Sequence, residues 1–265
     1  MNLIVSVGQF AVVPGAPEDN LARVRSLTAE AAQRGSDLVV FPELWDSGYA
    51  LDQAAKLASV RGAGRFAALA ELARQHQITI AGSILEAAPG AECGDTRTFN
   101  TAAWFGPDGD LLGVYRKIHL FTLMDEPDFL HPGDAPLLLD LPWGRTATAI
   151  CYDLRFPELF RRYALDGAHL TVIPAQWPHP RMAHWSTLLR ARAIENQMAV
   201  VACNRCGADG SVRFGGRSVI LDAWGEPVAE AGEDEILLTA ELNLAAVARV
   251  RAHIPVFEDR QPGVY

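Results

Sequence analysis

Apolar residues in the first third of the chain recur with two different spacings. A short β-branched run at residues 3–9 predicts a buried strand, and residues 37–41 and 78–82 have the same character. Between the first two runs, apolar residues recur at helical spacing from Asn20, which can cap a helix, to about Arg34. A second stretch with helical spacing precedes the third run. This order, β-α-β-α-β, is typical of a sheet that is covered by helices.

The middle and the end of the chain mix hairpins with further helices. A turn at Gly106-Pro-Asp-Gly109 joins two apolar runs and predicts a hairpin. A last strand pair, 218–222 with 235–241, surrounds a turn-rich segment. The pattern predicts an α/β sandwich of two sheets with outer helices, and a three-layer fold stays open as the alternative. The other expected elements are strands at 145–150, 170–174 and 199–204, and helices at 157–165, 184–196 and 244–250.

Composition indicates a globular protein with an acidic surface. No linker, charge run or repeat divides the chain, so we expect one domain over residues 1–265. Hydrophobic residues make up 49% of the chain and charged residues 21%, as in soluble domains. The 23 basic and 32 acidic side chains give a formal net charge of −9, which argues against nucleic acid or a membrane surface as partner. No apolar run approaches the ~20 residues of a membrane-spanning helix.

Cysteine usage favours a cytoplasmic location. The four cysteines, Cys93, Cys151, Cys203 and Cys206, are too few for a disulfide scaffold at this length. The apolar N-terminal stretch lacks the basic residues that open a signal peptide, since the first of them is Arg23. In a reducing cytoplasm a thiol can stay a nucleophile. No metal-ligand, phosphate-binding or dinucleotide-binding motif occurs, so neither a metal nor a cofactor is expected.

Three predicted strand ends carry residues that are suited to chemistry. Glu43 follows an apolar strand and Pro42, Lys117 ends an alternating strand, and Cys151 lies between a buried strand and a helix that Pro157 can start. Clefts form at the carboxyl edges of such strands, and backbone N–H groups at a helix start stabilise a thiolate. Each residue also has an ordinary interpretation: a solvated glutamate, a lysine that reaches into solvent, and an inert core cysteine.

The segment Cys203-Asn-Arg-Cys206 has the C-x-x-C spacing of zinc and redox sites. No second cysteine pair or histidine pair accompanies it. One packed thiol and one loop thiol, without a metal, is therefore the favoured interpretation, and a zinc or redox protein is the rival hypothesis.

Three motifs in order resemble the carbon–nitrogen hydrolase (nitrilase) superfamily, and two downstream segments, Arg190-Ala-Arg-Ala-Ile-Glu-Asn-Gln197 and Asp222-Ala-Trp-Gly225, extend the similarity over nearly the whole chain. The resemblance implies a four-layer α-β-β-α sandwich with two mixed β-sheets and outer helices. It also implies a homodimer or a larger homo-oligomer. The motifs are Phe41-Pro-Glu-Leu44, Tyr115-Arg-Lys-Ile-His-Leu-Phe121 and Ile150-Cys-Tyr-Asp-Leu-Arg-Phe-Pro157.

By this resemblance, Glu43, Lys117 and Cys151 form a catalytic triad. A second glutamate of the family corresponds to Glu126, with the neighbouring Asp125 as the alternative. The implied chemistry is attack of the cysteine on an amide carbon, release of ammonia and hydrolysis of a thioester, with the glutamate moving protons. The lysine, together with the backbone N–H of Tyr152, would stabilise the oxyanion.

The chain resembles omega-amidases in particular, which act on small amides such as 2-oxoglutaramate. The cues are the segments Ile173-Pro-Ala-Gln-Trp-Pro178 and Ile254-Pro-Val-Phe257. A substrate with a carboxylate requires local positive charge, which we expect from Lys117 and Arg155, with Trp177 as an apolar wall. An ion pair of Arg155 with Asp153 or Glu158 is the structural alternative. A deaminated-glutathione amidase, an N-carbamoyl amide hydrolase, a nitrilase and a catalytically silent binding protein of the same fold also stay open.

Overall fold

The computed structural model describes residues 2–88 and 97–264 and contains two six-stranded mixed β-sheets. In the first sheet the two pairs β1–β2 and β2–β3 are parallel and the others are antiparallel. Its strands, in spatial order, are β14 (Ile236–Asn243), β1 (Asn2–Gln9), β2 (Leu38–Val40), β3 (Thr79–Ala87), β4 (Thr98–Phe105) and β5 (Leu111–Arg116).

The second sheet repeats this plan, with its parallel strands at the centre. The pairs β7–β8 and β8–β9 are parallel, and antiparallel strands flank them. Its strands, in spatial order, are β13 (Pro227–Glu230), β12 (Val219–Leu221), β9 (Ala199–Asn204), β8 (Leu170–Ala175), β7 (Gly144–Thr148) and β6 (Leu137–Leu141). A separate small hairpin pairs β10 (Ala208–Asp209) with β11 (Val212–Arg213).

Three apolar interfaces hold the layers together. Side chains such as Val5 and Val40 of the first sheet pack against Val172 and Val201 of the second. Helices cover the outer face of each sheet, as the resemblance implied, so the four-layer α-β-β-α prediction is confirmed. The helices are α1 (Pro17–Gln33), α2 (Ala54–Leu57), α3 (Gly64–His76), α4 (Glu126–Phe129), α5 (Pro157–Leu165), α6 (Met182–Asn196) and α7 (Ala246–His253).

The start of the first helix differs from the prediction. Helix α1 begins at Pro17, whose fixed φ and missing N–H suit the first helical position. Asn20 therefore lies inside the helix and does not cap it. Its buried carboxamide accepts a hydrogen bond from Val13 N (2.9 Å) and donates to Val13 O (2.8 Å) and Asp46 O (3.0 Å). The Asn20 carboxamide, which suggested a helix cap, thus makes a tertiary contact to the loop after β2.

The predicted last strand pair is also wrong. Strand β12 pairs with β9 and β13, whereas β14 crosses to the other sheet and pairs with β1 over eight residues. Strand β13 is mostly exposed and lies within the segment that was predicted to be turns. Because its sequence has no buried face, apolar periodicity could not reveal it. No helix of the described residues is long and apolar enough to cross a membrane.

Candidate active site

The three strand-end residues meet at one edge of the two sheets. Glu43 follows β2 and Lys117 follows β5 in the first sheet, whereas Cys151 follows β7 in the second sheet. The side chains of Glu43 and Lys117 are completely buried, and Cys151 is 4% exposed. The solvated glutamate and the solvent-reaching lysine of the ordinary interpretation are therefore wrong.

Lys117 lies between two buried carboxylates. Its Nζ donates to Glu43 Oε1 and to Glu126 Oε1, both at 2.7 Å. Burial disfavours the ammonium form, but the two carboxylates outweigh it and raise the pKa of Lys117 above its ordinary value. An ammonium group has three N–H donors, so one is left for a further acceptor. The charge of Lys117 is balanced within this cluster, which leaves it unavailable as the free positive charge that was expected for a substrate carboxylate.

Two residues that the sequence did not single out fix the Glu43 carboxylate. Asn100 Nδ2 donates to Oε1 (2.8 Å), and the backbone N–H of Gln176 donates to Oε2 (2.9 Å). Ser83 Oγ donates to Asn100 Oδ1, so the amide nitrogen of Asn100 must face Glu43. Asn100 could have been found as a polar side chain in a fully buried strand, and Gln176 as a polar residue directly after β8.

The second carboxylate is that of Glu126, at the start of α4. It is buried and accepts hydrogen bonds from Tyr49 Oη (2.9 Å) and from the Phe121 backbone N–H (2.6 Å). Burial and the negative charge of Glu43 raise the pKa of Glu126, against the opposing effect of Lys117. Asp125 is exposed and does not enter the cluster.

Cys151 stands in an unusual backbone conformation at the start of a short 3-10 helix, Cys151–Arg155. Its φ of 44° lies in the left-handed region, where a non-glycine residue is strained. Helix α5 begins only at Pro157, so the cysteine is not at the N-terminus of that helix. Burial and the Glu43 carboxylate raise the pKa of the Cys151 thiol, while Lys117 lowers it. The resting side chain is therefore a thiol next to a carboxylate.

Asp153 holds the turn that carries the cysteine. Its Oδ2 accepts hydrogen bonds from the Ile150 backbone N–H (2.8 Å) and from Tyr115 Oη (2.7 Å). Its Oδ1 accepts from the His119 backbone N–H (3.0 Å) and contacts His119 Nδ1 (2.7 Å). The His119 ring stacks on Phe156 with 3.6 Å between the centroids. The buried carboxylate thus ties the Lys117 loop to the Cys151 turn.

A pocket with aromatic walls opens beside Cys151. Arg155 lies over the Trp177 ring, with its guanidinium carbon 4.8 Å from the centroid, and Arg181 lies over the Phe121 ring at 5.8 Å. Within residues 2–88 and 97–264 no ion pair joins Arg155 to Asp153 or Glu158, so the structural alternative for Arg155 is wrong. Sequence reasoning missed Arg181. The pocket is lined by Phe121, Cys151, Tyr152, Arg155, Trp177, Pro178 and Arg181.

The C-x-x-C cysteines lie away from this pocket. Cys203 is buried and its Sγ contacts Gly8 O at 3.6 Å, and Cys206 is a free, buried thiol. Burial raises the pKa of both thiols. In the described part of the chain no group of three or more His, Cys, Asp or Glu side chains is placed to hold a metal ion. Cys93 lies outside the described residues.

Comparison with known proteins identifies the family. The model of the carbon-nitrogen hydrolase family matches residues 4–252. The chain belongs to this family, and the expectation of a carbon–nitrogen hydrolase enzyme is confirmed. It is 38% identical to the 2-oxoglutaramate amidase of Bacillus subtilis over 266 residues, which covers all of both chains. It is 36% identical to the omega-amidase NIT2-A of Xenopus laevis, over 98% of this chain and 96% of that protein.

A solved structure supports the same assignment. A CN-hydrolase superfamily protein from Xanthomonas campestris, which carries an arsenic adduct in its active site, superposes on the chain with a TM-score of 0.90. The two sequences are 32% identical, and the match covers 98% of each chain.

Proposed function

We propose that this protein is an amidase that hydrolyses the side-chain amide of a small 2-oxo dicarboxylic acid, of the 2-oxoglutaramate type, and releases ammonia. The observation that carries the proposal is the buried Lys117 ammonium group, which lies between the Glu43 and Glu126 carboxylates next to the Cys151 thiol. This set provides a nucleophile, a base and a cation in one buried site. The names of the relatives in Bacillus subtilis and Xenopus laevis support the substrate class.

The first half of the reaction forms a thioester. Cys151 Sγ attacks the amide carbon, and Glu43 accepts the thiol proton as the C–S bond forms and the carbonyl electrons move to oxygen. Because the resting thiol is protonated, attack and proton transfer must be coupled. The tetrahedral intermediate then expels nitrogen, which takes the proton back from Glu43 and leaves as ammonia.

Two donors are available to the oxyanion of that intermediate. Lys117 has one N–H that the two carboxylates do not use. Tyr152 is the second residue of the 3-10 helix, so its backbone N–H has no acceptor within that helix. Donors of this kind in a buried site typically accelerate acyl transfer by ~10²–10³ each.

The second half of the reaction hydrolyses the thioester. Glu43 accepts a proton from the attacking water, the C–O bond forms, and the C–S bond breaks. The departing sulfur takes the proton from Glu43, and the carboxylic acid product leaves. Glu126 stays paired with Lys117 and keeps the ammonium group in place.

Recognition of the acid portion falls to the pocket outside the triad. Arg155 and Arg181 flank it, and neither forms an ion pair with a carboxylate of the described residues. Guanidinium groups bind carboxylates with charge-assisted hydrogen bonds, and Trp177 and Phe121 provide apolar walls for the carbon chain. We assign the carboxylate of the substrate to these two arginines.

A substrate panel with mass spectrometry tests the proposal. The wild type should release ammonia from 2-oxoglutaramate faster than from carbamoyl amides, larger peptide-like amides or nitriles, and quenched samples should carry an acyl group on Cys151. Cys151→Ala should lose both signals with an unchanged circular dichroism spectrum. Turnover in Cys151→Ala, or a wild type inactive on every compound of the panel, would overturn the proposal.

A further inference from the structure

Arg205 is a buried cation that has no ionic partner among the described residues. It lies between the two cysteines of the C-x-x-C segment in the sequence, its side chain is completely buried, and burial lowers its pKa to about 10. Among the described residues no carboxylate lies within ion-pair distance of its guanidinium group. Its polar contacts are neutral: Nη1 donates to Gln176 Oε1 (2.7 Å) and Nη2 donates to Val12 O (2.6 Å). The guanidinium carbon also lies 4.1 Å from the centroid of the Phe214 ring.

Gln176 connects this cation to the Glu43 backbone. Its Nε2 donates to Glu43 O at 2.6 Å and lies 3.4 Å from Leu44 O. Its own backbone N–H donates to Glu43 Oε2. One residue therefore holds both the main chain and the carboxylate of Glu43. Leu44, directly after it, has a φ of 42°, in the left-handed region that strains a leucine.

Arg205 fixes the orientation of the Gln176 amide group through its hydrogen bond to the amide oxygen. A guanidinium group can only donate, so it requires the amide oxygen on its own side. The amide nitrogen must then face the Glu43 carbonyl oxygen, which can only accept. If the amide turned over, two donors would meet on one side and two acceptors on the other, and buried polar groups left without partners are costly.

We propose that Arg205 is a positioning residue for the reaction: through Gln176 it fixes the strained turn that presents the Glu43 carboxylate to Cys151 and Lys117. This inference rests on the proposed function of Glu43. The role that it assigns to the C-x-x-C segment belongs to Arg205, which lies between the two cysteines, and not to the thiol groups. A base displaced by about 1 Å can slow a reaction by ~10²-fold, so a cation outside the pocket can affect the rate.

The test compares Arg205→Met with a matched variant, Arg251→Met. Arg251 also donates to two carbonyl oxygens, Ala168 O and Gln197 O, and also lies over a phenylalanine ring. It is on α7, and none of these contacts of the described residues involves Glu43 or Gln176. Arg205→Met should lower kcat by about tenfold to 10²-fold with an unchanged KM, since the pocket is untouched. Arg205→Lys, which can still donate to the amide oxygen, should recover part of kcat. Arg251→Met should keep the kcat of the wild type.

A second measurement needs no turnover. Because Glu43 raises the pKa of the Cys151 thiol, a displaced Glu43 should let iodoacetamide alkylate Cys151 at a lower pH. The midpoint of the alkylation profile should move down in Arg205→Met and stay in Arg251→Met. An unchanged midpoint together with an unchanged kcat would overturn the proposal. Inactivity of the wild type on all amides, combined with a shifted midpoint, would overturn the proposed function alone.

A double-mutant cycle tests the route through Gln176. If Arg205 acts through this amide, Arg205→Met should cause no further loss of kcat in a Gln176→Met background. Additive losses would show that Arg205 acts by another route and would overturn the proposal.

Gln176→Glu is the alternative test if Arg205→Met does not fold. This variant gives the Arg205 cation a carboxylate partner but removes the N–H group that donates to Glu43 O. It should remain folded and lose kcat; wild-type kcat in Gln176→Glu would contradict the role of the amide.

Discussion

Lys117 and Glu126 lie nine residues apart on the chain, and their side chains meet at 2.7 Å inside the protein. The same ammonium group meets Glu43 at the same distance. A lysine with one carboxylate partner would form a neutral pair, whereas this cluster carries a formal charge of −1. Burial and the Glu43 carboxylate raise the pKa of the Cys151 thiol, so the cysteine is a thiol at rest.

Glu126→Gln should lower kcat by about 10²-fold and change KM little. The amide keeps an acceptor for the Phe121 N–H but removes the charge that holds the ammonium group of Lys117 in place. Steady-state kinetics on the best substrate of the panel measure the effect. Asp125→Asn is the matched control, because it makes the same chemical change on the exposed neighbour. Equal losses in the two variants would contradict the role of Glu126.

Glu43→Gln should separate the reactivity of the thiol from turnover. Removal of the carboxylate lowers the pKa of the Cys151 thiol, so alkylation by iodoacetamide at neutral pH should become faster than in the wild type. Hydrolysis of amides should fall by at least ~10²-fold, because no base remains for the thiol or for water. Peptide mapping after timed alkylation measures the first effect. Slower alkylation in this variant would contradict the electrostatic role of Glu43.

Replacement of either pocket arginine should weaken binding of the acid portion. Arg155→Met and Arg181→Met should each raise the KM of a carboxylate-bearing amide by about tenfold, the loss expected for a charge-assisted hydrogen bond. The kcat/KM of a neutral aliphatic amide should stay the same. Arg162→Met, which changes the net charge equally but removes an exposed arginine paired with Asp166, is the control. Equal effects on both substrates would assign the arginines a structural role.

Asp46→Asn should stabilise the protein at pH 8. Burial raises the pKa of Asp46 from 3.8 to about 7, and Asp46 Oδ2 has no hydrogen-bond partner. At a pH between these two pKa values, Asp46 is ionised in the unfolded chain but protonated in the folded chain. The free energy of unfolding therefore falls as pH rises, by a total on the order of 4 kcal/mol. The variant lacks this dependence. Thermal melts at pH 5 and pH 8 measure it, with the exposed Asp52→Asn as control.

Apolar periodicity predicted most of the secondary structure because most strands and helices have a continuous buried face. Helix α5 and strand β9 begin and end at the predicted residues. The prediction failed where a polar residue had a tertiary partner or where a strand had no apolar face. Asn20 looked like a cap but bonds to Asp46 O, and exposed β13 has no apolar pattern. Strand partners across two sheets depend on contacts distant in sequence, which periodicity does not encode.

Within the site, the sequence indicated Glu43, Lys117 and Cys151 but missed Arg181 and the neutral groups that position Glu43. Glu43, Lys117 and Cys151 stood out because their residue types are unusual at the ends of buried strands. Gln176 and Asn100 are neutral, and their hydrogen bonds to Glu43 exist only once both strands are in place. The raised pKa of the thiol depends on burial and on a carboxylate from the other sheet, which periodicity does not encode.

Glu43 and Cys151 belong to different sheets, and the contacts between the sheets are mostly apolar, with a few hydrogen bonds such as that from Trp104 Nε1 to Thr148 Oγ1. Apolar contacts have no preferred direction, so they fix the relative alignment of the two layers less strictly than hydrogen bonds do. The distance between the Glu43 carboxylate and the Cys151 thiol therefore depends on how the two sheets are aligned. On heating, we expect the rate of amide hydrolysis to fall at a temperature below the unfolding transition seen by circular dichroism. Cooling from that temperature should restore the full rate.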